Sequence, residues 1–281
     1  MPTGTMAGMS SSAPTAPASE TRLHLGRNIL NKVPEVTIFF WIIKILCTTV
    51  GETGADNLSS RYNLSDATLA YYTGAVLAVV LLFVFAFDRY VPLAYWLGIV
   101  LISVVGTLIT DNLVDNHGVA LHTTTIIFSI ATAASFAIWF AVERTLSIHT
   151  ILTLRRELFY WVTVLFTFAL GTAAGDYIAE SSGLGYFKSI LLFGGAIAVI
   201  AVAHLRFGLN AIFAFWAAYI LTRPLGASIG DYLSQPKADG GRGLGTNTTS
   251  YIFLATILSL VVYLTWTRVD QTPADPEGAA I

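Results

Sequence analysis

WVTVLFTFALGTAAGD, residues 161–176, reads as a single membrane-crossing helix: a Trp opens it, a Gly follows ten residues later and an Asp five residues after that. The same landmarks recur as Trp41–Gly51–Asp56, Trp96–Gly106–Asp111 and Trp216–Gly226–Asp231, so four of the six Trp share one register. Successive copies begin 55, 65 and 55 residues apart, and the two halves superpose at a shift of 120. A fixed period of this kind marks tandem structural repeats.

Around the motif the chain is built for lipid. Of 281 residues, 55% are hydrophobic and 11% charged, with a mean hydropathy of +0.68. A soluble domain carries about a quarter charged residues, so this is a membrane protein. Eight mainly apolar stretches, near 35–57, 69–88, 92–112, 123–145, 157–178, 188–205, 209–232 and 249–268, are long enough to span a bilayer. The motif falls on the first, third, fifth and seventh, so each repeat is a motif helix followed by a plainer one.

The fold expected is an all-α polytopic membrane protein of eight helices in four tandem two-helix repeats. Two spans per repeat make all four motif helices run the same way. The halves, 31–148 and 149–269, are then parallel about an axis along the membrane normal rather than inverted. Motif helices are expected around that axis, with the others outside. Residues 1–30 and 270–281 are expected to be disordered tails, the first lacking the apolar core of a cleaved signal.

Nine Lys and Arg (Arg22, Arg27, Lys32, Arg89, Arg144, Arg155, Arg156, Arg206, Arg268) fall on one side, and five (Arg61, Lys188, Arg223, Lys237, Arg242) on the other. The positive-inside rule then puts both termini in the cytoplasm and the four Asp toward the outer face. No basic stripe exists to track nucleic acid. The lone Cys47 excludes an internal disulfide and reads as a small buried side chain.

The motif carries chemistry as well as packing. Gly171 with Gly175 and Gly226 with Gly230 are GxxxG pairs, and Gly51 with Ala55 and Gly106 with Thr110 are small-residue versions that let helix backbones approach closely. An Asp follows each pair directly, so Asp56, Asp111, Asp176 and Asp231 are expected to converge where the helices come closest. Each such charge costs about 2.5–3.5 kcal/mol at a helix centre, less near the interface. Gathered together, the four must share protons or neutralise a cation. One turn away lie Glu52, Thr107 and Thr172 on one side, and Ser60, Asp115, Glu180 and Gln235 on the other. Such oxygen ligands suit a hard divalent cation such as Mn²⁺ or Ca²⁺, carried as substrate rather than held as cofactor. The competing reading is that these polar groups only hydrogen-bond loops and helix ends.

Lys44 and Arg223 lie eight residues before Glu52 and Asp231, roughly on the same faces as those acids. They are candidate coupling or gating groups that fill the acidic site when no ion is bound, against the alternative of fixed ion pairs that offset burial. Asp115 and Glu180 are further candidates for the coupling role. The Pro after Arg223 is expected to kink its helix. Trp41, Trp96, Trp161 and Trp216 read as anchors at the interface, with an aromatic gate the sharper and less supported alternative. His117 and His122 share a loop with Asp115, read mainly as solvated rather than as a metal-gathering patch.

Four tandem two-helix repeats, each with a characteristic Trp, resemble a bacterial membrane-protein family described as a repeat of unknown function, whose members are labelled uncharacterised membrane-anchored proteins. Val33-Pro34-Glu35-Val36 with Gly51-Glu52-Thr53, and Arg223-Pro224-Leu225-Gly226 through Asp231, look like its signatures. The resemblance spans about residues 33–268 and implies this fold in a bacterial inner membrane, without an activity. A fainter likeness is to cation/proton exchangers with a Glu-x-Gly-Asp-Lys-Thr motif: Glu52-Thr53-Gly54 matches its start, but Ala55 follows and no Lys-Thr is present.

The leading expectation is a proton-coupled transporter of a divalent metal cation. Alternatives are a non-transporting scaffold or sensor, and a carrier of a small organic cation, since an acidic cavity ringed by aromatics would suit one. No catalytic pairing or nucleotide loop appears in the spans, so no catalytic residues are assigned. The lipid bilayer and a small cation are the expected partners, and a homo-oligomer stays open.

Overall fold

The computed structural model describes residues 32–62, 64–181 and 183–271, apart from the side chains of 180 and 181. The expected tail at 1–30, and that at 270–281 beyond Gln271, lie outside these residues. Eight long helices make up the described chain: α1 (Ile38–Tyr62), α2 (Asp66–Ala86), α3 (Pro92–Asp111), α4 (Leu121–Glu143), α5 (Leu154–Asp176), α6 (Tyr186–Phe207), α7 (Ala211–Ser234) and α8 (Thr246–Thr267). All are long and apolar enough to cross a membrane.

Local chemistry sets the boundaries. Ser65 Oγ accepts from Thr68 N and opens α2, Thr153 accepts from Arg156 N to open α5, and Asn210 accepts from Ile212 N and Phe213 N to open α7. Pro92 occupies the first position of α3, where a missing N–H costs nothing. Directly after Asp111 and Asp176, α3 and α5 widen into π-helical turns, Asn112–Asn116 and Tyr177–Ser181. Such turns are rare and cluster at functional sites.

Burial separates two layers. Within their apolar windows, 61–67% of residues in α1, α3, α5 and α7 are buried, against 6–28% in α2, α4, α6 and α8. The motif helices form a closed ring in which α1 packs on α3, α3 on α5, α5 on α7 and α7 on α1. Each outer helix packs on the motif helix of the following repeat: α2 on α3, α4 on α5, α6 on α7, and α8 back on α1. The halves therefore interlock rather than forming separate bodies.

Two repeated contacts fasten the ring. At one end, the aromatic residue before each Trp packs on the Trp of the next repeat: Phe40 on Trp96, Tyr95 on Trp161, Tyr160 on Trp216 and Phe215 on Trp41, with ring centroids 5.6, 5.6, 6.2 and 5.7 Å apart. Deeper in, each motif Gly faces the residue seven places after the next Trp. A Cβ on Gly51, Gly106, Gly171 or Gly226 would press on Ser103, Phe168, Arg223 or Thr48 respectively. Both sets of contacts pair corresponding levels, so the four motif helices are parallel, and the chain closes on itself with pseudo-four-fold symmetry.

The Trp side chains differ from expectation. Trp96, Trp161 and Trp216 are buried and Trp41 is half-buried, so they are core residues rather than interface anchors. Connecting segments fold over this end, bury Val33, Ile148 and Ile151, and satisfy the indoles: Trp96 Nε1 donates to Tyr90 Oη at 3.0 Å, and Trp216 Nε1 to the Leu146 carbonyl at 2.9 Å. Asp270, expected to begin a loose tail, is buried and accepts from Tyr90 Oη at 2.7 Å. Trp266, outside the motif, is 84% exposed near the end of α8.

Overpacking a close contact costs about 1–3 kcal/mol. Gly226→Ala and Gly171→Ala are each expected to lower stability by about that amount, read as denaturant unfolding in detergent. Gly74→Ala and Gly195→Ala, where a Cβ meets nothing within 4 Å, are the controls and leave stability unchanged.

Candidate functional site

Inside the ring the lining is polar. Thr49, Thr53, Thr107, Thr110 and Thr172 return their hydroxyls to carbonyls four residues back, so the backbone supplies acceptors in a setting where water is scarce. Other hydroxyls tie helices together: Thr48 Oγ1 lies 3.1 Å from the Thr222 carbonyl, Thr110 Oγ1 3.3 Å from the Ala169 carbonyl, and Ser250 Oγ 2.8 Å from Thr53 Oγ1.

Two cations occupy the axis. Arg223 sends Nη1 to the Thr48 carbonyl at 2.8 Å and Nη2 to Glu52 Oε2 at 2.8 Å, and Nη2 also donates to Thr107 Oγ1 across the ring. Its Nε is buried with no acceptor among the described residues. Arg223 thus pairs with Glu52 of the first repeat, not with Asp231 on its own helix. The reason is direction: position seven after a Trp points at the neighbouring helix, and in repeat four that neighbour is α1. Pro224 does not end α7, and it lies against Gly171 and Gly175, where small residues make room for its ring.

Lys44 is fully buried and also departs from expectation. Its Nζ is 3.9 Å from the centroid of Phe168 and 4.1 Å from that of Tyr219, and donates to Thr222 Oγ1 at 3.3 Å. Glu52 lies eight residues, about 12 Å, further along α1 and is paired with Arg223. The ammonium instead sits in an aromatic cradle of the kind that binds cations by ring faces. Phe168 and Tyr219, missed by the sequence reading, are found by counting seven and three places from the third and fourth motif Trp.

The four motif Asp lie at the other end of the ring, all half-buried. Asp111 lies within electrostatic reach of Glu52, Asp176 and Asp56, and of Asp115 one turn on. Asp231 stands at the same level of α7. Asp115 is exposed in the π turn, and the side chain of Glu180 lies outside the described residues. Among the described residues, no three His, Cys, Asp or Glu side chains are grouped to hold a metal ion. The acids therefore share an electrostatic neighbourhood without forming an assembled coordination shell. His117 Nδ1 lies 2.8 Å from the Asn112 carbonyl and His122 beside Thr123, so neither joins Asp115 in a cluster. Cys47 is a buried free thiol.

From the Asp end inward, the order is thus an acidic mouth, the Arg223–Glu52 pair, Lys44 in its aromatic cradle, and a closed aromatic layer. Removing one partner of a buried pair leaves an uncompensated charge and costs about 3–5 kcal/mol. Arg223→Met is expected to destabilise the protein by that order, and Arg223→Met with Glu52→Leu by clearly less. Thermal unfolding of the single and double variants in the same detergent checks this.

Comparison with known proteins agrees with the repeat count. The model of the family described as Repeat of Unknown Function (DUF347) matches residues 39–90, 94–145, 159–209 and 214–270. Each match begins two residues before a motif Trp. No curated protein and no solved structure matches the chain. The four matches together cover most of the sequence, and the chain belongs to the DUF347 repeat family.

Proposed function

We propose that this protein is a cation transporter of a bacterial inner membrane, with both termini cytoplasmic and the Asp end outermost. A divalent metal ion is the cargo class, exchanged against protons at the carboxylates. The observation that carries the reading is that Asp56, Asp111, Asp176 and Asp231 stand at one level at the end of a closed ring of parallel helices, one turn beyond Glu52, whose carboxylate pairs with Arg223 on the axis. Like charges in one half-buried place hold a cation or a shared proton. Arg223 on Glu52 then stands where a transported cation would otherwise bind, and entry of the cargo requires the guanidinium to move aside.

A second reading, a carrier of a small organic cation, is favoured by one observation: the Lys44 ammonium between Phe168 and Tyr219. That cradle would serve an amine or quaternary ammonium as well as it serves a lysine.

Uptake into proteoliposomes tests both. With an imposed pH gradient, Mn²⁺ or Ca²⁺ is expected to accumulate with the wild type and fall to background with Asp111→Asn or Glu52→Gln. Unchanged uptake in both variants, or no uptake by folded wild type, counts against metal transport. If only a methylated amine accumulates, and replacing Phe168 and Tyr219 by Leu abolishes that, the second reading holds.

A further inference from the structure

The outer helices carry a position pair that breaks in one repeat. Fifteen and eighteen residues after the first residue of α2, α4, α6 and α8 stand Leu81 and Val84, Phe136 and Trp139, Ala201 and His204, and Val261 and Leu264. Three of the four pairs are bulky and apolar, and pack into the core. Leu81 and Trp161 meet over Gly98, Phe136 and Trp139 lie with ring centroids 4.9 and 5.7 Å from Trp216, and Val261 and Leu264 are buried in the same cluster. In α6 the pair is a methyl group and an imidazole, and the place in front of the remaining motif Trp, Trp41, is left unfilled.

A cavity of about 670 Å³ lies there, walled by Trp41, Phe215, Ile197, Ile200, Ala201 and His204, with the loop from Leu146 to His149 at its rim. That volume is in the usual range of ligand pockets, about 300–1,000 Å³. The same omission explains why Trp41 alone among the motif Trp is half-buried.

Its surroundings define what reaches it. Ile38 and Leu205, both on its wall, are 66% and 78% exposed, so the opening lies among side chains that face the bilayer. The rim is at helix ends, where headgroups meet the protein. At the rim, His204 Nδ1 donates to the Leu209 carbonyl at 2.7 Å and His149 faces Glu35 at 3.5 Å, so the polar groups there are already partnered and the remaining wall is apolar. We infer that this cavity is a lipid site: it takes one acyl chain of a phospholipid from the surrounding bilayer, through the opening beside Ile38 and Leu205. The site is independent of the cation pathway and does not rest on the transport reading.

Native mass spectrometry of the full chain, released from nanodiscs of mixed phosphatidylglycerol and phosphatidylcholine, tests it. The wild type is expected to retain a phospholipid adduct. Grafting the pair of α4 (Ala201→Phe with His204→Trp) or of α2 (Ala201→Leu with His204→Val) fills the cavity and removes the adduct while the protein stays folded; the second graft is the milder should the first fail to fold. A folded wild type without lipid, or a folded graft with an undiminished adduct, overturns the site.

Discussion

Every part of this structure depends on the fourth repeat closing onto the first. Phe215 against Trp41, Gly226 against Thr48, and α8 against α1 repeat contacts that the other three joints also make. Between lipid-embedded helices there is no hydrophobic effect to drive association, so close packing and interhelical hydrogen bonds must supply it. A Gly at each joint brings backbones near enough for Thr48 and Thr110 to reach carbonyls of the neighbouring helix. An open row of repeats would break the Arg223–Glu52 pair between α7 and α1 and leave both charges in the bilayer, where each is costly.

Closure also produces the interior. Because the helices are parallel, equivalent residues fall on equivalent levels: aromatics at one end, the residues facing the glycines in the middle, and carboxylates at the other end. The chemistry of the interior comes from the departures from equivalence. Lys44 stands where its counterparts are Ile99, Val164 and Tyr219, and Arg223 where they are Thr48, Ser103 and Phe168. Glu52 stands where the others have Thr or Ala. Repeat one thus supplies a base and an acid, and repeat four supplies the guanidinium that couples to that acid.

Much of this was legible in the sequence. The period of Trp, Gly and Asp gave the repeats, and composition gave eight spans within a few residues of the helices found. Parity gave the parallel arrangement. The glycines sit at the helix contacts because only a missing side chain permits that approach. The ring partners were harder to see, since linear spacing places Arg223 and Asp231 on one face and says nothing of α1 approaching from the side. The Trp were misassigned because rise per residue measures distance along the helix and ignores loops that fold over its end. A usable signal was available: Phe40, Tyr95, Tyr160 and Phe215 precede the four Trp, an aromatic pair in every repeat, which suits mutual stacking better than solitary anchors.

The most direct test of the closed ring is a cross-link between its two ends. In a Cys47→Ser background, Thr53→Cys with Ser250→Cys replaces hydroxyls 2.8 Å apart on α1 and α8. Mild oxidation in membranes is predicted to give an intramolecular disulfide, visible as resistance to fragment separation after cleavage between repeats two and three. A pair that stays reduced, or that links only separate chains, would contradict the closure on which the acidic mouth and its axial cations depend.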